Sequence, residues 1–190
     1  APPPIDLSSV LVVDVSGSMI GNANMIIAKK AALLWTNSVR LGPSECGVVS
    51  FDNMTYSNQG LTVSKGLLAT AINGLEPRGG TNFNAALLDK NAGIDMVSKG
   101  RNKKVIVMLT DCLGQADIPS IKARALAENV TIYVVTLRMK TPESLQEIAT
   151  ATGGLFFDNI TNEQEAATAY MTILAIASGM QTCTIEWTSA

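Results

Sequence analysis

Short apolar runs alternate with segments of helical periodicity along most of the chain. Continuous apolar runs of this length are typical of strands that are buried on both faces of a parallel sheet. We predict such strands over residues 10–13, 46–51, 103–110, 131–137 and 155–158. The segments between them predict helices over about 24–40, 65–75, 84–99 and 117–129, and two more that begin near 141–143 and 161.

Polar and turn-forming residues mark the expected ends of these elements. Residues 55–56 and 61–63 flank a turn-like stretch at 57–60, which predicts a hairpin that ends in an antiparallel edge strand. Asp52 and Asn53, just before it, are expected to be surface turn residues, with the rim of a ligand site as the alternative. The expected helix caps are Asn22 or Asn24, Asp117, Thr141 followed by Pro142, and a capping box of Thr161 and Gln164.

Strands that alternate with helices over the whole length predict an α/β fold with three layers, α-β-α. We expect a doubly wound, mostly parallel sheet of six strands with one antiparallel edge strand. In such folds, ligands bind beyond the carboxyl ends of the strands, at the switch point of the strand order.

The first predicted strand ends in a cluster of oxygen-bearing side chains. Asp14, Ser16 and Ser18 follow at two-residue intervals, so they point the same way for as long as the backbone stays extended. One carboxylate and two hydroxyls are hard oxygen ligands, which suit Mg²⁺ or Mn²⁺. Because three such groups cannot fill the shell of the ion, further ligands are expected from elsewhere in the chain.

Two later motifs offer these ligands. Thr81 follows two glycines in a loop just before a predicted helix, and Asp111 ends another buried strand. The three motifs in this order resemble the metal-ion-dependent adhesion site (MIDAS) of von Willebrand factor A domains, the family that includes integrin inserted domains. The resemblance covers roughly residues 6–178. Asp111 is followed by Cys112, where such domains very often carry glycine.

The resemblance implies a metal-dependent protein-binding module of the adhesion type, and not an enzyme. Its metal ligands are Asp14, Ser16, Ser18, Thr81 and Asp111. The three hydroxyls contact Mg²⁺ or Mn²⁺ directly or through water, with Ca²⁺ as a third candidate, and the two acids act mostly through bound water. An Asp or Glu carboxylate of a partner protein then completes the coordination.

Composition narrows the remaining functions. The chain has 190 residues with 47% hydrophobic residues, which is enough for one domain with a sizeable core. The net charge of −2 argues against nucleic acid as a partner, and the apolar runs are too short for membrane insertion. The absence of histidine excludes imidazole-based zinc sites and catalytic histidines.

Cys46 and Cys112 are predicted at opposite ends of parallel strands, and are therefore expected to be free thiols. We expect a proline-rich linker over 1–5, the von Willebrand factor A domain over 6–178, and a tail or the start of a following module over 179–190. In this tail, Cys183 is expected to pair with a cysteine beyond the domain. A secreted or cell-surface domain, monomeric by itself and part of a longer chain, fits the proline-rich start and the tail cysteine.

Two other functions remain as alternatives. One is an intracellular scaffold domain of a larger assembly, as occurs in other members of the family. The other is an enzyme of magnesium-dependent phosphoryl transfer with Asp14 as nucleophile. That chemistry normally needs a second acid at the position of Ser16 and a lysine near the phosphate, and the motif provides neither.

Overall fold

Residues 2–180, which the computed structural model describes, form six strands and seven α-helices. The strands are β1 (Leu7–Asp14), β2 (Glu45–Phe51), β3 (Thr55–Thr62), β4 (Lys103–Thr110), β5 (Val130–Leu137) and β6 (Phe156–Ile160). The helices are α1 (Asn24–Ser38), α2 (Lys65–Asn73), α3 (Phe83–Leu88), α4 (Gly93–Ser98), α5 (Ile118–Ala127), α6 (Glu143–Ala151) and α7 (Glu163–Ala177).

The six strands form one sheet in the order β3-β2-β1-β4-β5-β6. All neighbouring pairs are parallel except β2 and β3, so β3 is an antiparallel edge strand and the predicted fold class is confirmed. The chain winds outward from β1 in both directions, which places the switch point of the strand order at β1. Val13 of β1 pairs with Leu109 of β4, so the carboxyl ends of these two strands lie side by side.

Two hydrophobic cores cover the two faces of the sheet. Leu11 and Val13 of β1 pack into the core that is shared with α1, α2 and α7, where Trp35 meets the edge of Tyr170. Val10 and Val12 point into the core that is shared with α3 to α6. Every residue of β1 is buried, because the strand lies between two helical layers in the centre of the sheet.

Two predicted elements were wrong in detail. The expected turn at 57–60 does not form; these residues stay extended because they pair with β2, where two register irregularities accommodate them. The turn lies earlier, where the Asp52 N–H donates to the Met54 carbonyl. The single helix expected over 84–99 is two helices, α3 and α4, interrupted by a turn in which Asn91 adopts a positive φ of 60°.

The first residues of the helices were predicted less well than the presence of the helices. Asp117 caps α5 as expected, by accepting a hydrogen bond from the Ser120 N–H. The caps expected for α1, α6 and α7 were wrong: the cap positions are Ala23, Pro142 and Asn162. Three of the expected side chains have other partners: the Asn24 amide donates to Asp111, the Thr141 hydroxyl to Asp158 and the Thr161 hydroxyl to Glu165.

The two ends of the described chain lie together. The Ile5 N–H donates to the Ser178 carbonyl over 2.9 Å, just after α7 ends. The linker and tail assignments stay predictions, and Cys183 lies outside the described residues. No helix between residues 2 and 180 has the length and apolar character that crossing a membrane requires.

Candidate metal centre

The structure brings all five predicted ligand residues together beyond the carboxyl ends of β1 and β4. The Ser16 and Ser18 hydroxyl oxygens lie 2.9 Å apart, and the Ser18 hydroxyl donates to Asp111 Oδ1 over 2.6 Å. Thr81 Oγ1 lies 2.7 Å from Cys112 Sγ, which in turn lies 3.2 Å from Asp14 Oδ2. The cluster therefore joins segments that are almost one hundred residues apart in the chain.

Asp14 is the fully buried member of this cluster. Its Oδ1 accepts a hydrogen bond from the Ser16 N–H, which turns the chain back over the end of β1. Its Oδ2 accepts hydrogen bonds from the Thr110 hydroxyl and the Cys112 thiol. Both carboxylate oxygens are thus held in place by neighbouring donors.

Asp111 is held in a similar way at the partly exposed side of the cluster. Its Oδ2 accepts a hydrogen bond from the Asn24 side-chain amide at the start of α1. Arg138 lies behind this amide: its Nε donates to Asn24 Oδ1 over 3.0 Å, and its guanidinium also donates to the Thr161 carbonyl. These contacts fix the orientation of Asp111 from the side opposite Ser18.

The loop that carries Thr81 is hydrogen-bonded to the segments that directly follow β1 and β2. The Gly79 carbonyl accepts a hydrogen bond from the Gly17 N–H, and the Asn82 N–H donates to the Asp52 carbonyl. Gly79 has a φ of +73°, and a Cβ at this position would lie about 3.0 Å from the Asp52 carboxylate, so glycine is required here. Asp52 and Asn53 lie in a turn as predicted and Asn53 is exposed, but the surface position was wrong for Asp52, which is buried and accepts a hydrogen bond from the Tyr56 hydroxyl.

Cys112 lies in the middle of the oxygen cluster. Burial raises the pKa of its thiol, and the negative charge of Asp14 raises that pKa further. Cys46 is buried at the start of β2, where desolvation raises its pKa to about 12. Both cysteines are free, as predicted from their places at opposite ends of the sheet.

The cluster has acidic groups without a neutralising cation. Among residues 2–180, neither Asp14 nor Asp111 takes part in a salt bridge. Buried charges in proteins are normally paired or coordinate a metal. The two carboxylates and three hydroxyls of this cluster therefore form a donor set that fits a divalent cation.

Sequence reasoning missed three residues that position the cluster. Thr110 contacts Asp14 because β1 and β4 are neighbours in the sheet, so a correct strand order would have revealed it. Asn24 was considered only as a helix cap, although it contacts Asp111. No local pattern identifies Arg138, because its role depends on the distant loop that it reaches.

Doubly wound α/β domains bind ligands at the carboxyl edge of the sheet, at the switch point of the strand order. The oxygen-rich cluster lies at this place, so the chain has the fold and site of that class of domains. A model of the von Willebrand factor type A domain matches residues 9–115, more than half of the chain. The chain belongs to this family.

Solved structures share the fold over almost the whole chain. A von Willebrand factor type A protein from Catenulispora acidiphila has a TM-score of 0.77 and 20% identity; the match covers 93% of this chain and 43% of that protein. A structure of proximal thread matrix protein 1 from the mussel byssus, with zinc at its MIDAS motif, has a TM-score of 0.76 and 19% identity, and the match covers 92% of this chain and 46% of that one.

The von Willebrand factor domain of the type V pili tip protein Mfa5 from Porphyromonas gingivalis has a TM-score of 0.74 and 12% identity, with 97% of this chain and 99% of that one covered. The chain thus spans less than half of the first two proteins and nearly all of the third. At these identities the likeness shows the shared fold. No curated protein sequence matches the chain.

Proposed function

We propose that this domain binds a partner protein through a divalent metal ion, which takes an Asp or Glu carboxylate of the partner as one of its ligands. The observation that carries the proposal is the convergence of two carboxylates and three hydroxyls around a buried Asp14 that has no cation partner among residues 2–180. A bound cation would supply the missing positive charge.

Asp14, Ser16, Ser18, Thr81 and Asp111 would hold the ion, which is Mg²⁺ or Mn²⁺ in this proposal, with Ca²⁺ as a third candidate. The oxygens of Asp14 and Asp111 already accept hydrogen bonds from neighbouring groups. This favours direct contact of the ion with the hydroxyls, while the acids act through bound water. An ion held mainly by neutral hydroxyls keeps much of its positive charge and attracts a further anionic oxygen.

The family and its structural neighbours support this proposal. Domains of this family commonly mediate protein–protein interactions, and the byssus protein has a metal at its MIDAS motif. The neighbours also include a matrix protein and the tip protein of a pilus. We therefore propose a secreted or cell-surface location for this chain.

The proposal is for binding and not for catalysis. The chain has no histidine, and among the described residues no lysine or arginine contacts Asp14 or Asp111. A phosphoryl-transfer site would need positive groups that stabilise the charge of the transferred phosphate.

The test is a selection from a displayed peptide library on the immobilised domain in Mg²⁺, with elution by EDTA. Peptides that elute with EDTA should be enriched in Asp or Glu at one position. They should fail to bind Asp14→Asn, but should bind the control Asp89→Asn, which changes an exposed carboxylate outside the cluster. Peptides that stay bound in EDTA, or that bind Asp14→Asn equally well, would show that another surface is used.

Thr81→Ala separates partner binding from metal binding. The Thr81 hydroxyl is one of several ligands for the ion, but we propose that it belongs to the tightly binding form of the domain. The variant should therefore lose more affinity for the selected peptide than for Mg²⁺. Thr131→Ala serves as the matched control, because Thr131 lies near the start of β5, at the edge of the sheet opposite to the cluster. An equal loss of affinity for the selected peptide and for Mg²⁺ would contradict this role of Thr81.

A further inference from the structure

The Cys112 sulfur is placed among the proposed metal ligands. It lies 3.2 Å from Asp14 Oδ2, 3.5 Å from Ser16 Oγ and 2.7 Å from Thr81 Oγ1. We propose that Cys112 Sγ is itself a ligand, so that the site prefers thiophilic divalent ions such as Zn²⁺ or Co²⁺ over Mg²⁺. The inference rests on the proposed function, because it concerns the same site, and it revises which divalent ion that site binds most tightly.

The spacings fit shared coordination. Zinc binds sulfur at about 2.3 Å and oxygen at about 2.1 Å, so ligand angles between roughly 90° and 110° separate the two ligand atoms by about 3.1–3.6 Å. The distances from Cys112 Sγ to Ser16 Oγ and Asp14 Oδ2 lie in this interval, so Zn²⁺ would bind Asp14 directly where Mg²⁺ would reach it through water. The 2.7 Å to Thr81 Oγ1 is shorter than the interval, so Thr81 would have to move away from the sulfur to share the ion. Single ligand atoms of Asp14, Asp111 and Cys112 also lie within 4.8 Å of one another.

The position of the thiol is fixed by the local backbone. The Cys112 N–H donates to the Thr110 hydroxyl, which itself donates to Asp14 Oδ2. The turn after β4 therefore directs the side chain back over Asp14. On binding a metal, the sulfur would release its proton to solvent and coordinate as thiolate.

A sulfur ligand changes which ions the site favours. Mg²⁺ requires hard oxygen ligands in a near-octahedral arrangement and gains little from sulfur. Thiolates favour softer ions such as zinc. Removal of the sulfur should therefore weaken the binding of Zn²⁺ more than that of Mg²⁺. This change in the ratio of the two affinities identifies a sulfur ligand better than the affinity of the unmodified protein for one ion does.

The experiment compares the metal-free 190-residue chain with Cys112→Ser, in a non-thiol reductant. Calorimetric titrations with Zn²⁺ and with Mg²⁺ should show that the substitution lowers the affinity for Zn²⁺ about tenfold or more. Even the loss of a residue that only contacts a metal ligand lowers metal affinity about 10- to 100-fold. Mg²⁺ affinity should stay the same or rise. The Co²⁺ complex should show a sulfur-to-cobalt charge-transfer absorption that is lost in Cys112→Ser and kept in Cys46→Ala and Cys183→Ser.

The outcomes separate this inference from the proposed function. Equal effects of Cys112→Ser on Zn²⁺ and Mg²⁺, with no charge-transfer band in the unmodified protein, would overturn the inference and leave a metal site made of oxygens. A band that persists in Cys112→Ser would also overturn it, since another thiol would then bind the ion. If neither the unmodified protein nor Cys112→Ser binds Zn²⁺, Mg²⁺ or Co²⁺, both proposals are overturned.

Discussion

The bound metal should stabilise the folded domain through Asp14. An ion that binds only the folded state adds about 2.7 kcal/mol to the free energy of unfolding when its concentration is 100 times the dissociation constant. For a domain of this size, about 1 kcal/mol raises Tm by roughly 2–4 °C. The expected gain is therefore about 5–11 °C when Mg²⁺ or Mn²⁺ replaces EDTA.

The structure decides which substitution tests this gain. Asp14→Ala would leave three groups without their acceptor: the Ser16 N–H, the Thr110 hydroxyl and the Cys112 thiol. Each unsatisfied buried group costs about 1–3 kcal/mol, so this variant would be destabilised for reasons unrelated to metal. Asp14→Asn keeps one oxygen for the Ser16 N–H, and its amide can donate to the Thr110 hydroxyl, which is able to rotate. Only the Cys112 thiol, a weak donor, loses its acceptor.

Thermal unfolding followed by circular dichroism, in EDTA and in excess ion, is the assay. Asp14→Asn should unfold close to the unmodified protein in EDTA and should show no increase in Tm with the ion. The control Asp89→Asn should keep the full increase. The same Tm for the unmodified protein in EDTA and in saturating Mg²⁺, Mn²⁺ or Ca²⁺ would show that none of these ions binds and stabilises the folded domain.

Three further predictions concern the scaffold. Asn162→Ala removes the cap of α7 and should cost about 1 kcal/mol in chemical denaturation. Tyr170→Phe should leave stability unchanged or raise it by up to about 1 kcal/mol in the same assay, because the buried hydroxyl has no hydrogen-bond partner among residues 2–180. The hydrogen bond from the Asn91 N–H, and to a smaller extent Lys99, lowers the pKa of Asp95. Because these contacts stabilise the charged carboxylate, Asp95→Asn should destabilise the domain at neutral pH. This difference should disappear as the pH falls from about 3.8 through the lowered pKa, in unfolding curves measured across that range.

The sequence was sufficient for the fold, and it pointed to five residues that the structure places close together, because both leave local signals. Strands buried on two faces are continuous apolar runs, and acids or hydroxyls directly after them stand out. Asp14 and Asp111 lie at the ends of β1 and β4, and parallel strands bring such ends to one edge.

The residues that support the cluster leave no such signal. The contact of Asn24 with Asp111 depends on where α1 starts relative to β4. The contact of Arg138 with the Thr161 carbonyl joins two residues more than twenty positions apart in the chain. The turn expected at 57–60 failed for a related reason, since pairing with β2 outweighs the local turn preference of these residues. Tertiary contacts decide these details.

Anomalous diffraction from crystals soaked in Mn²⁺ would show directly whether the cluster binds a metal, because it locates the ion without a partner protein. A peak is expected beyond the end of β1, at coordination distance from the hydroxyl oxygens of Ser16 and Ser18, and it should be lost in crystals of Asp14→Asn. A map with no peak there, or with a peak that persists in Asp14→Asn, would contradict this expectation.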